Sequence, residues 1–315
     1  MGRRASSYLG LLKTGELARR AVEAWERLSS CTLCPRQCRV DRLHGEVGFC
    51  RSGSLPKLAS FGPHFGEEPE LVGRHGSGTI FFSNCTMRCQ YCQNYEISQC
   101  GAGREITCDD LARIMLALQD DGCHNINLVS PTHFVPQIIA ALLTAAGEGL
   151  SLPLVYNTGG YDCAATIRLL DGIVDIYMPD AKYGDDETAR RLSHAPHYTR
   201  YMQEAVLEMH EQVGDLVVDE EGIAVRGLII RHLVLPDGLA GSREVFRFIA
   251  QEVSKESYVN VMAQYRPEWH AAEGGRGLPE GLGRRITASE YDEALREAEK
   301  AGIHRGFPRP PPTGL

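Results

Sequence analysis

Nowhere in the 315 residues is there an apolar run approaching the roughly 18 needed to span a bilayer. The charged start, Met1-Gly2-Arg3-Arg4, is not followed by a secretory core. Tyr8 to Leu12 is too short, and Lys13, Glu16, Arg19 and Arg20 come soon after it. The chain also lacks a positive excess. Its net charge of −8 argues against a general nucleic-acid-binding surface, though not against a local basic pocket. There is no internal repeat, and no low-complexity segment apart from the proline-rich end from Phe307 to Leu315, expected to be extended or disordered. These absences leave a cytoplasmic globular protein, with neither membrane nor nucleic acid expected among its partners. An apolar content of 43% is enough for one large domain, or for one domain with a small appendage.

Cysteine, in contrast, is abundant. Eleven is a high and odd number for a chain from a reducing compartment, and the residues are clustered. Disulfides are rare there, so clustered thiols read as metal or redox sites.

A regular rhythm begins at residue 78. Apolar runs at Thr79 to Phe82, Ile126 to Val129, Leu152 to Tyr156, Ile173 to Met178, Leu228 to Leu235 and Tyr258 to Ala263 predict six strands. Between them, helical spacing marks Leu111 to Leu118 (opened by a capping box at Thr107 and Asp110), Val135 to Ala146, Cys163 to Leu170, Tyr198 to Val213 and Arg243 to Val253. A short hairpin is expected from Leu216 to Val218 and Ile223 to Val225. Strands alternating with helices mean βαβ units and a parallel sheet. Six strands are too few for a closed eight-stranded barrel, so the α/β fold expected is an open, partial (β/α)6 barrel with its chemistry at the C-terminal strand ends.

Ahead of it, Gly15 to Ser29 predicts an amphipathic helix, Cys31 to Cys50 a loop built around a ligand, and the Pro- and Gly-rich Leu55 to Glu70 an irregular segment. A last helix follows Thr287, with Glu290 three residues on. The expected division is 1–74 for the N-terminal helix and Cys-rich metal-binding extension, 75–270 for the partial barrel, and 271–315 for the C-terminal helix and Pro-rich tail.

Just past the first strand stands Cys85-Thr86-Met87-Arg88-Cys89-Gln90-Tyr91-Cys92, a C-x3-C-x2-C pattern. Three thiolates on one tight loop can each take one iron of a cubane cluster and leave the fourth iron open, which a catalytic site needs. A zinc loop is the alternative, but zinc sites usually pair C-x2-C with a distant second pair. Cys31, Cys34, Cys38 and Cys50 form a second set. Four thiolates close a metal's shell, so that site is structural or electron-relaying, with a second [4Fe–4S] cluster or Zn both open; substrate-side redox sulfur is a further reading. Cys100 and Cys108 flank the cluster loop, and Cys123 and Cys163 read as ordinary buried cysteines.

C-x3-C-x2-C after the first strand of a βα repeat, with the aromatic Tyr91 before the last Cys, resembles the radical S-adenosylmethionine (SAM) superfamily over about residues 75 to 266. Asn84-Cys85 through Cys92-Gln93-Asn94-Tyr95, with the Cys-rich N-terminus, resembles more narrowly the pyruvate formate-lyase-activating-enzyme-like (PflX-type) family. The resemblance implies a [4Fe–4S] cluster on Cys85, Cys89 and Cys92 whose open iron binds SAM. It implies reductive cleavage of SAM to a 5′-deoxyadenosyl radical, an electron donor such as flavodoxin or ferredoxin, and an oxidoreductase whose substrate is a glycyl radical enzyme. Other readings are a radical SAM enzyme modifying a small molecule or peptide, and a non-catalytic iron–sulfur or zinc protein serving binding or electron transfer.

The resemblance also nominates contacts for SAM, with no catalytic residue beyond the cluster ligands. Tyr91 would lie against the adenine, or merely pack the loop. Ser130-Pro131-Thr132-His133 stands where such proteins commonly carry a Gly-Gly-Glu-Pro-like segment, so Thr132 or a nearby carbonyl would take the SAM amine. His133 either faces the substrate or caps the next helix. Asn157, before Gly159 and Gly160, is the polar contact after the third strand. Asp180-Ala181-Lys182 is similar to the Asp-x-Lys segment of glycyl-radical-enzyme activases, with a surface salt bridge as the alternative. Arg231, in a strand similar to their Arg-x-x-Val-x-Pro, suits the SAM carboxylate. The usual histidine near the sixth strand's end is absent, leaving Gln264 or Tyr265.

Overall fold

The computed structural model describes residues 6–275 and 277–306; the proline-rich end lies outside the described residues. β1 (Lys57–His64) runs antiparallel to β2 (Ser77–Phe82), and the two-residue β3 (Arg104–Glu105) pairs with the start of β1. Then come β4 (Ile126–Val129), β5 (Leu154–Thr158), β6 (Ile176–Pro179), β7 (Val217–Val218), β8 (Ala224–Leu233) and β9 (Tyr258–Met262). The sheet order is β3-β1-β2-β4-β5-β6-β8, with β9 on the far side of β8. All contacts in the series β2, β4, β5, β6, β8, β9 are parallel. These are the six strands the apolar runs predict, and the open barrel follows from them. β7 makes the expected hairpin against the start of β8.

The Leu55 to Glu70 segment is a correction: half of it is β1. Gly62 and Pro63 read as breakers, but β3 covers only Lys57 and Leu58, so the outer edge at Pro63 is free and proline's missing N–H costs no ladder bond. The expected first helix forms over Glu16–Glu26; a further helix, Tyr8–Thr14, was not expected and is separated from it by Gly15 in the left-handed region (φ 78°). Both capping boxes form, at Thr107 and Asp110 before the helix Cys108–Asp120 and at Thr287 and Glu290 before Ala288–Ala301. A helix over Asp186–Ser193, not expected, is capped by the Asp185 side chain on the Thr188 N–H, with Asp186 and Glu187 in its first turn and Arg190 and Arg191 in its last.

Strand periodicity sorts the side chains into two sets. Ile80, Phe82, Ile126, Leu128, Leu154, Tyr156, Leu228 and Ile230 join the large core beneath the helices. Val155, Ile176, Met178, Ile229 and Tyr258 form a second apolar group inside the barrel, joined by Leu71 from the short helix Pro69–Val72. That helix lies in the β1–β2 connection, at the N-terminal end of β2. It closes the end of the barrel opposite the Cys85 loop and sends Glu67 and Glu68 inward.

Candidate active site

The loop after β2 leaves the strand through Asn84, whose φ of 68° is left-handed, a conformation asparagine tolerates better than most residues. Its backbone is held from far along the chain. Arg88 N–H donates to the Ser193 carbonyl (3.0 Å), Gln90 N–H to the Leu192 carbonyl (2.8 Å), and Ala271 N–H to the Gln90 carbonyl (2.9 Å). His133 Nε2 lies 3.0 Å from the Ser83 carbonyl at the loop's root. Burial pushes the imidazole down to about 3, so it is neutral. His133 therefore does not cap the next helix; it ties the β4 end to the β2 end.

Each thiol of the loop has a hydrogen-bond partner. Met87 N–H donates to Cys85 Sγ (3.4 Å), Ser193 Oγ donates to Cys89 Sγ (3.0 Å), and Cys92 Sγ and Ser98 Oγ are 3.1 Å apart. Burial pushes the Cys85 thiol up to about 12 and the Cys89 thiol up to about 11; the neighbouring cysteines also raise both, while Lys182 lowers both. The three thiols are thus close enough to feel one another. A cluster must take them as thiolates, so iron uptake releases protons. The donor set of three sulfurs on one loop, each hydrogen-bonded, fits a cubane with one open iron.

Ser193 is one link of a buried chain. The Tyr91 and Tyr183 hydroxyls are 2.6 Å apart, and Tyr183 Oη is 2.5 Å from Ser193 Oγ. Tyr91 also meets the edge of Tyr265, whose hydroxyl donates to the Leu282 carbonyl. Hydrogen bonds to cluster sulfurs help set the reduction potential. Ser193→Ala is expected to keep its iron content and to shift the potential of the Cys85 cluster to more negative values, read by a redox titration followed by electron paramagnetic resonance (EPR).

Facing the loop is a buried charged network. Lys182 Nζ is 2.5 Å from Asp180 Oδ2, Arg231 Nε donates to Asp180 Oδ1 (2.8 Å) and Arg231 Nη2 to Asn157 Oδ1 (2.7 Å). Glu67 Oε2 is 3.6 Å from Arg231 Nη1, and Asn260 Nδ2 donates to both oxygens of Glu68 (2.8 and 2.9 Å). Burial alone would raise the Asp180 carboxyl, but Arg231 and Lys182 outweigh it and hold it below the ordinary range. Asp180 and Lys182 are not a surface pair. Tyr198 Oη locks the backbone around them, bonded to the Gly159 and Asp180 carbonyls and the Lys182 N–H. Gly159 lies between the network and the loop: a Cβ there would meet Met87 Sδ at 3.1 Å and Lys182 Cε at 3.5 Å.

The structure thus brings Asn157, Asp180, Lys182 and Arg231 together. Thr132 is elsewhere: its hydroxyl donates to Asp162 Oδ1 (2.7 Å), a buried carboxyl that also receives Tyr156 and Thr158. Ser130, just before it, has φ 57°. Sequence reasoning missed Glu67, Glu68, Tyr183 and Ser193. The Gly66-Glu67-Glu68-Pro69 turn was the available signal for the first two.

A six-stranded parallel barrel with three clustered thiols at the C-terminal end of its first parallel strand defines a cluster-dependent α/β-barrel enzyme. The family pattern of the radical SAM superfamily matches residues 79–220, and the chain belongs to that superfamily. It is a radical SAM enzyme, using a [4Fe–4S] cluster and SAM. An uncharacterized protein of Methanocaldococcus jannaschii is 35% identical over 284 residues, covering 87% of this chain and 75% of the relative. Among solved structures, TYW1 with a lysine-pyruvate adduct bound is 10% identical with a TM-score of 0.42, covering 70% of this chain and 73% of that one. HydG, a maturase of the [FeFe]-hydrogenase, is 11% identical with a TM-score of 0.48, covering 94% of this chain and 64% of that one. Among the described residues no helix is long and apolar enough to cross a membrane.

Proposed function

We propose that this enzyme is of the activating type, like the pyruvate formate-lyase-activating-enzyme-like family, and removes a hydrogen atom from a glycine of a protein partner. Cys85, Cys89 and Cys92 hold the cluster. When bound there, the cluster and SAM would supply one-electron reductive cleavage of SAM and, from it, abstraction of the substrate hydrogen atom. The protein's part is orientation and exclusion of water.

The observation that carries this reading is the buried set of Asp180, Lys182, Arg231 and Asn157 opposite the thiol loop. With Glu67 beside Arg231, its two anions and two cations balance, and a zwitterion with a carboxylate and an ammonium can exchange into such a set without leaving a charge unpaired. Arg231 offers a fork to the SAM carboxylate, and Asp180 an acceptor to its ammonium. Lys182, beside Cys85 and Cys89, offsets the negative charge of the thiolates. Tyr91 backs the adenine, and a low-potential flavodoxin or ferredoxin supplies the electron. An oxidoreductase acting in the cytoplasm is the corresponding assignment.

The test is anaerobic incubation of the reduced enzyme with SAM, alone and with each glycyl radical enzyme encoded in the same genome. Release of 5′-deoxyadenosine together with a glycine-centred EPR doublet on the partner is expected. Release without a doublet on any partner overturns the activase assignment and leaves a small molecule or peptide as substrate.

A further inference from the structure

The second cysteine set closes around one point. Cys31, Cys34, Cys38 and Cys50 line a single small cavity together with Leu33, Val40, Gly48, Arg42 and His133. Two backbone bonds fold the segment into a knuckle, Cys31 N–H to the Val40 carbonyl (3.0 Å) and Arg39 N–H to the Cys31 carbonyl (2.9 Å). Gly48 is required there, because a Cβ would meet Cys38 Sγ at 2.7 Å. Phe49 N–H donates to the same sulfur (3.4 Å).

Arg42 is the unexpected member. It is 1% exposed. Its Nη1 donates to the His133 carbonyl (2.7 Å) and lies 3.8 Å from Cys31 Sγ, and its Nε donates to the Gly53 carbonyl (3.0 Å). Carbonyls satisfy its N–H groups, yet among the described residues no carboxylate pairs with its charge. A buried, uncompensated cation costs several kcal/mol. Arg36, half-buried, also lies beside the set. It stacks on Phe49 (3.6 Å), donates to the Thr86 carbonyl (3.0 Å), and has no carboxylate partner among the described residues. Protonated thiols would leave both cations unanswered, whereas a metal centre held by four thiolates carries two negative charges and answers both.

Four thiolates either close the shell of a tetrahedral zinc or take one iron each of a cubane. Position favours the cubane, because a redox centre packed against the Cys85 loop can relay electrons to it and a zinc ion cannot. The two sets are also in direct register: Arg36 reaches Thr86, the neighbour of Cys85, while Arg88 stacks on Phe49, the neighbour of Cys50.

We propose that Cys31, Cys34, Cys38 and Cys50 hold a second, fully ligated [4Fe–4S] cluster, with Arg42 and Arg36 as its counter-cations. The full chain carrying Cys85, Cys89 and Cys92 all changed to alanine isolates it, whatever the fate of SAM chemistry. Purified anaerobically, that variant is expected to hold about four iron and four sulfide per chain and to give a reduced-cluster EPR signal. In the same background Arg42→Gln removes the charge, and is expected to lose the cluster or shift its potential to more negative values. Arg42→Lys, which keeps the charge, is expected to retain both iron and potential. Zinc without iron, or no metal in a folded triple variant, overturns the proposal. So does an unchanged potential in Arg42→Gln, or loss of iron from a folded Arg42→Lys.

Discussion

Changing Cys85, Cys89 and Cys92 together to alanine takes SAM cleavage to the level of a protein-free control and removes about four iron per chain. No other thiol replaces them: Cys100 is exposed, Cys108 is half-buried, and Cys123 and Cys163 are buried outside the loop. The fold should survive. The loop's backbone bonds to Leu192, Ser193 and Ala271 do not pass through the thiols, and the lost bond from Ser193 to Cys89 costs about 1 kcal/mol. The check is 5′-deoxyadenosine release under reducing, anaerobic conditions, with iron counted on the same sample. Cleavage equal to wild type would remove the cluster from this loop.

Asp180→Ala should be the most damaging single change outside the cysteines. It leaves Arg231 and Lys182 buried without their shared anion, and breaking a buried ion pair from one side costs about 3–5 kcal/mol. Denaturant unfolding at neutral pH reads that loss, and SAM affinity should fall with it. The pH dependence has a fixed sign. Because the folded-state carboxyl is held low, its contribution is complete above the unfolded carboxylate range and disappears as pH falls through the folded value; the variant lacks that acid limb. Arg231→Lys should not rescue the site. The guanidinium reaches Asp180, Asn157 and Glu67 in three directions, and an ammonium offers a single point. A variant with wild-type stability and SAM affinity would show that the network is dispensable.

Much of this arrangement was written locally. Each of the six parallel strands is a short apolar run, because a strand covered by helices on one face and core on the other needs no polar alternation. The three-cysteine motif is one loop, and both capping boxes are four-residue signals. What escaped depends on distant partners. β1 was hidden by Gly62 and Pro63, which only an edge position tolerates. Thr132 looked available for a ligand until Asp162, thirty residues later, took its hydroxyl. Glu67 and Glu68 precede the barrel in sequence, yet they end inside it because the Pro69–Val72 helix closes its far end. The Ser193 bond to Cys89 joins residues more than a hundred positions apart, and no local pattern announces it. The helix carrying Ser193 was readable from its charges: acids at Asp185, Asp186 and Glu187, bases at Arg190 and Arg191.

The anchoring of the thiol loop on Leu192, Ser193 and Ala271 bears on maturation. Ribosomes emit Cys92 roughly 10 to 35 s before Ala271 at usual elongation rates. Until then the scaffold that holds the early cysteines in shape is incomplete. Iron delivery in the cell therefore has to wait for a nearly finished polypeptide, and a product truncated before the last strand would carry every ligand sulfur yet be unfit to be loaded.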